Sequence, residues 1–196
     1  MTILTAESSL SVLEYRSLAL QALWVGLIAS MGLAFVLIPN IELVTLVAFL
    51  GGSAMGVRKG FIAAVLGEAI FSAINPIGSG LGFPILYAFQ ITSIGLAGLV
   101  GGLVSPLLLR INSNFLNALL LGCVGFLLTL FYDVMTALSL PLATGITEGT
   151  IWGSISAGLV FYFAHMASNT VLFFLLGPGM LRLVDRQLSM HGFERA

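Results

Sequence analysis

The amino-acid sequence predicts an all-α membrane protein, a bundle of six transmembrane helices with both termini cytoplasmic. Composition is the first reason: of 196 residues, 59% are hydrophobic and 8% charged, and the mean hydropathy is +1.12. Soluble domains are about one-quarter charged, so a water-soluble globule, a disordered tail and a nucleic-acid binder are excluded. Length patterning is the second, because the apolar residues fall into runs near the roughly 20 residues a helix needs to cross the hydrocarbon. Charge placement is the third. The net charge is −1, yet all seven Lys and Arg fall in connections on one face of a six-span chain. The positive-inside rule makes that face cytoplasmic. The runs lack the alternating polarity of barrel strands.

The first span covers 18–38, preceded by Arg16 and closed by Pro39 and Asn40. Glu7 and Glu14 ahead of it make the wrong charged region for a cleaved signal peptide, so this segment stays in the protein. The second covers 41–56, closed by Arg58 and Lys59, and the third, 60–74, is short and ends at Asn75-Pro76 and the run Gly78-Ser79-Gly80-Leu81-Gly82. Pro84, well suited to a first helical turn, opens the fourth, 84–104, which stops before Pro106 and Arg110. The fifth, 115–138, ends ahead of Pro141, and the sixth, 150–176, ahead of Gly177-Pro178-Gly179. A separate tail helix, 180–190, puts Leu181, Val184 and Leu188 on one stripe opposite Arg182, Asp185 and Arg186, as a helix lying on the cytoplasmic surface does. Arg186 and Arg195 complete the basic face. Pro39-Asn40, 75–83 and 139–149 then form the outer connections, whose Gly, Pro, Ser and Thr suit mobile covers. The whole chain, 1–196, reads as a single membrane domain. Cys123, alone in an apolar run, reads as a buried small hydrophobe.

Ala22, Gly26, Ser30 and Ala34 recur every fourth residue on the first span, a groove that permits close approach of another helix, within the bundle or from a partner. Ala63/Gly67, Gly98/Gly102 and Gly153/Ala157 are shorter pairs suited to packing inside the bundle.

Ionisable groups at membrane depth are expensive and face the protein interior or an aqueous cavity. Glu68, Asp133 and His165 fall at such depth, with Glu42 at the outer start of the second span and Glu148 in the last outer loop. Helical spacing aligns Glu42 with Thr45, and Glu68 with Ser72 and Asn75. Tyr87 and Gln90 lie one turn apart, as do Tyr132, Asp133 and Thr136, while Asn40 and Trp152 sit near the same outer level. These stripes converge on a small-molecule pocket in the outer half. Competing readings exist for some of them: Tyr87, Tyr132 and Trp152 also suit an interfacial aromatic belt, and Glu42 a helix-capping carboxylate at headgroup level. His165 with Ser168 and Asn169 reads as a structural interhelical hydrogen-bond set.

No GxxxxGK[ST], HExxH, CxxC or GxSxG occurs. Two histidines, one of them His191 in the tail, and one cysteine build no ordinary three-ligand zinc site, so neither a metal nor a cofactor is expected and the chain does not read as an enzyme. Nor does it show the repeated halves of secondary transporters. Concentrating a solute then needs energy from another subunit.

The stretch Pro39-Asn40-Ile41-Glu42-Leu43-Val44-Thr45, the later Arg58-Lys59-Gly60-Phe61, the Asn75-Pro76 loop and the run Phe131-Tyr132-Asp133-Val134-Met135-Thr136 resemble the substrate-specific S components of energy-coupling factor (ECF) transporters. The resemblance implies a multi-pass subunit of a bacterial or archaeal cytoplasmic membrane that binds a vitamin or vitamin precursor from outside. It also implies a transmembrane coupling subunit with an ATPase pair as partner, docking on Ala22, Gly26, Ser30 and Ala34, and gating of the pocket by the outer connections. The Trp-rich pocket of the thiamine-binding type is missing, since only Trp24 and Trp152 are present, and a corrinoid, a queuosine precursor and a pyrimidine all stay open as ligands. Two other classes compete: a structural scaffold resembling the MreD family, and a small proton-coupled carrier using Glu68 and His165.

Overall fold

The computed structural model describes residues 2–38, 40–78 and 80–190, with side chains from residue 14 onward. Pro39, Ser79, His191 and Arg195 of the sequence reading lie outside the described residues, as does the side chain of Glu7. Six helices follow one another: α1 Thr2–Phe35, α2 Val44–Met55, α3 Val57–Ile74, α4 Pro84–Leu108, α5 Asn114–Thr144 and α6 Glu148–Met190, with a short 3-10 turn, Gly80–Gly82, before α4. Among the described residues there is no strand.

The distribution of polarity is inverted relative to a soluble protein. Large apolar side chains such as Leu23, Leu66, Leu103, Leu127 and Phe163 are exposed around the outside, while Glu68, Ser72, Asn117, Thr129, Asp133 and Asn169 are buried inside. Four helical segments, Glu14–Phe35, α4, α5 and α6, are long and apolar enough to cross a membrane. The expected second and third spans differ from these. At about 1.5 Å per residue the 12 residues of α2 reach about 18 Å, short of the roughly 30 Å hydrocarbon thickness. All twelve are buried, because α2 is the central rod around which α1, α3, α4, α5 and α6 pack. It is surrounded by protein along its whole length. α3 carries Arg58, Lys59 and Glu68 and is correspondingly less apolar.

Around α2 the contacts run α1 to α3, α3 to α4, α4 to α5 and α5 to α6, leaving α1 and α6 at the two ends of an arc. Glycine holds the centre together. A Cβ on Gly52 of α2 would land on the Gly98 carbonyl of α4, one on Gly101 on the Phe49 carbonyl, and one on Gly60 of α3 on the Gly52 backbone. Backbones this close leave no room for a side chain. The Gly98/Gly102 pair is therefore internal packing, and Gly67 packs in the same way on Ile28 of α1. Gly153 and Ala157, by contrast, face outward, and a Cβ on Gly153 would meet nothing. On α1 the bundle is met by Trp24, Ile28 and Ala29, so Ala22, Gly26, Ser30 and Ala34 all point away from it.

Several boundaries correct the sequence reading. α4 does not stop before Pro106 but runs through it to Leu108. α5 does not stop at Leu138 but runs through Pro141 to Thr144, which reduces the expected 139–149 loop to Gly145–Thr147 and puts Glu148 in the first turn of α6. Proline removes the amide that would bond the carbonyl four residues back; here that carbonyl, on Ala137, accepts a hydrogen bond from Ser154 Oγ of α6 at 2.5 Å. α6 likewise continues through Gly177-Pro178-Gly179 to Met190, so 180–190 is not a separate surface helix. Its stripe is covered by protein: Leu181 and Leu188 are buried in the core with Val184 packed beside them, and Arg182 donates to Asn114 Oδ1 at 2.7 Å. Cys123 is exposed rather than buried, because the inward face of α5 is taken by Leu121, Gly122 and Gly125.

Candidate functional site

The end of the bundle where α1 and α3 finish and α2 and α4 begin holds an open-mouthed cavity of about 370 Å³. The α1–α2 connection forms much of its rim. Asn40 there has φ of 60°, a left-handed conformation that Asn tolerates better than most residues, and its carbonyl accepts a hydrogen bond from Ser168 Oγ of α6. Two residues on, Glu42 closes the N-terminus of α2. Its Oε2 accepts the Thr45 amide at 2.9 Å, and its Oε1 accepts Thr45 Oγ1 at 2.6 Å and Asn169 Nδ2 at 2.9 Å. A carboxylate is favoured beside the unpaired amides of a helix start, and α6 holds it in place.

His165 of α6 stands between two carboxylates. Its Nδ1 lies 2.8 Å from Asp133 Oδ1 on α5 and its Nε2 lies 3.6 Å from Glu42 Oε1. The edge of the imidazole meets the Tyr132 ring, centroids 5.5 Å apart at 81°. The second oxygen of Asp133, Oδ2, is buried without a hydrogen-bond partner among the described residues.

On the opposite wall Glu68, only 2% exposed, lines the cavity from α3. Its Oε1 accepts Ser72 Oγ at 2.8 Å, and Ser72 also approaches Gln90 Oε1 of α4 at 3.3 Å. Tyr87 donates to the Ala69 carbonyl at 3.1 Å, which ties α4 to α3 just behind this wall. Asn75 turns the chain at the end of α3 by accepting the Ile77 amide at 2.9 Å.

Of the residues singled out from the sequence, Asn40, Glu42, Thr45, Glu68, Asn75, Gln90, Tyr132, Asp133 and Thr136 line the cavity. Ser72 and Tyr87 support it from behind through the bonds just described. Trp152 is not part of it: it is 62% exposed and thirteen residues before His165 on α6, about 20 Å along a helix rising 1.5 Å per residue. The α5–α6 hairpin overshoots the cavity, so a residue in the first turns of α6 is not at the level of the cavity. The sequence reading placed His165 in a structural set. Ser168 and Asn169 do pin the α1–α2 connection, but His165 itself lines the cavity. Phe71, Phe161 and Tyr162 also line it. Their signal was available in the spacing: Phe71 is one turn from Glu68, and Phe161 and Tyr162 are one turn before His165.

Among the described residues no group of three His, Cys, Asp or Glu side chains is placed to hold a metal ion. What the arrangement can do is bind: it offers fixed acceptors and aromatic side chains around a concave pocket, the usual composition of a small-molecule site. Fold and cavity together define an all-helical protein with helices fit to cross a membrane and a polar chamber toward one end. Compared with protein-family models, with curated proteins and with solved structures, the chain matches none of them.

Proposed function

We propose that the chain is the substrate-binding subunit of an ECF-type uptake transporter, capturing a vitamin or vitamin precursor from outside and releasing it inward when partner subunits hydrolyse ATP. The cavity of about 370 Å³, walled by residues from every helix, carries this reading. A scaffold whose polar groups serve only as interhelical hydrogen bonds has no need of such a volume. Binding is non-covalent, without a catalytic step or cofactor, and the α1–α2 connection, held to α6 through Asn40 and Glu42, forms the rim that a ligand passes.

In this reading all six helices sit in a bacterial or archaeal cytoplasmic membrane with the cavity toward the outside. Charge placement supports that orientation. Lys59 donates to Ser17, next to Arg16, at 2.8 Å, and Arg182 donates to Asn114 at the start of α5. These pairings bring four of the described basic connections to the end remote from the cavity, as the positive-inside rule asks. Ala22, Gly26, Ser30 and Ala34, all facing away from the bundle, are the proposed contact with a transmembrane coupling subunit and its ATPase pair.

The test is affinity purification of the full-length chain from its native membranes. An ATPase pair should accompany the wild type and be lost from Gly26→Leu, a position where an added side chain meets nothing within the chain. A wild type that brings no ATPase, and that alone moves solute across liposomes under a pH gradient, would favour a proton-coupled carrier. That second reading draws on Glu68 and His165 sharing one cavity.

A further inference from the structure

The charge and hydrogen-bond balance of the cavity points to the chemistry of its occupant. Its lining includes three carboxylates, Glu42, Glu68 and Asp133, and one imidazole, but no Lys or Arg. Two of the three carboxylates have capacity to spare: Glu68, 2% exposed, is held through Oε1 by Ser72 Oγ, and Asp133 Oδ2 is buried with no hydrogen-bond partner among the described residues. Of the hydroxyls on the lining, Thr45 Oγ1 is committed to Glu42 and Thr136 Oγ1 to the Tyr132 carbonyl at 2.9 Å, and the other side-chain donors besides His165, the amides of Asn40, Asn75 and Gln90 and the hydroxyls of Tyr132 and Tyr162, carry no positive charge. Asp133 has its imidazole partner on Oδ1 only, and a buried carboxylate oxygen left without a hydrogen bond is unfavourable, so an occupant that brings positive charge and N–H groups completes the site. An anionic occupant adds like charge beside the three carboxylates. Phe71, Phe161 and Tyr132 supply flat aromatic faces on the same walls, which attract cations and stack on rings.

We propose that the ligand of this cavity is a small organic cation with N–H donors on a flat ring system, held by Glu68 and Asp133; this rests on the reading of the chain as a binding subunit. The test uses three probes that share one ring and differ in charge: benzamidinium, benzamide and benzoate. Each is titrated calorimetrically into full-length protein in nanodiscs. Benzamidinium should bind tightest and benzoate weakest, with a spread of roughly tenfold to a hundredfold, the range of one charge-assisted hydrogen bond. In Glu68→Gln and, separately, Asp133→Asn, the advantage of benzamidinium over benzamide should shrink by about tenfold while benzamide binding holds. Benzoate or benzamide binding as well as benzamidinium would overturn the cation assignment and leave the binding-subunit reading standing. So would a cation preference that survives in both variants. Absence of binding by all three, from protein that melts cooperatively, would overturn the binding-subunit reading and the cation with it.

Discussion

Glu42→Gln should destabilise the protein by about 2 kcal/mol, and the geometry says why. The wild-type carboxylate accepts three hydrogen bonds, from the Thr45 amide, the Thr45 hydroxyl and Asn169 Nδ2. A carboxamide has one oxygen. Placed at the Oε1 position, that oxygen keeps Thr45 Oγ1 and Asn169, but the amide nitrogen then confronts the Thr45 N–H, donor against donor. One cap bond is lost, a second donor is left facing it, and the charge beside the start of α2 disappears. Cap removal costs about 1 kcal/mol and a charge-assisted hydrogen bond about 1.5–3. The combined loss of about 2 kcal/mol lowers the melting temperature by roughly 4–8 °C for a chain of this size. Thermal unfolding in detergent, followed by tryptophan fluorescence, measures it. Glu148→Gln is the reference, because Glu148 is exposed in the first turn of α6. Equal melting of the two variants would refute the claim that Glu42 ties α2 to α6.

Other substitutions probe the packing and the site. Gly52→Ala puts a methyl on the Gly98 carbonyl, so it should cost more than the roughly 1–3 kcal/mol of ordinary overpacking and sharply reduce the yield of folded protein, whereas Gly26→Ala, with nothing within 4 Å, should melt like the wild type. Ser154→Ala leaves the Ala137 carbonyl unpaired beside Pro141 and should cost about 1–3 kcal/mol; adding Pro141→Ala restores a helical donor to that carbonyl, so a double mutant no more stable than Ser154→Ala would contradict the pairing. His165→Ala removes the partner of buried Asp133 and should lower the melting temperature more than Trp152→Ala, which lies at the surface; the reverse order in a melting series would count against the arrangement.

What could be read from the sequence was what depends on local spacing. Six helical runs, their order, and the shared faces of Glu68 with Ser72 or Glu42 with Thr45 need only the helical repeat and the apolar pattern. What could not be read depends on neighbours distant in the chain. Pro141 looks like a stop until Ser154, on another helix, is seen to satisfy the carbonyl it orphans. Gly177-Pro178-Gly179 looks like a break until Gly177 is found against Leu121, 3.2 Å from where its Cβ would be. The run 41–56 looks like a membrane span, yet only the packing of α2 shows that protein encloses it. Trp152 lies near the N-terminal end of its helix, and the length by which the α5–α6 hairpin passes the cavity is a tertiary property. His165 illustrates a different limit: its spacing to Ser168 and Asn169 fitted a structural role, and it has both that neighbourhood and a place in the cavity wall.

Whether the chamber holds a small molecule is read most directly by mass spectrometry of what the denatured protein releases. Wild-type protein purified from native membranes should give up close to one equivalent of a single low-mass compound. Ile94→Phe, which adds bulk to the cavity wall at a 3% exposed position, should release far less while still folding. Cooperatively folded wild-type protein that yields no compound above the level of the surrounding lipid and detergent would contradict the account.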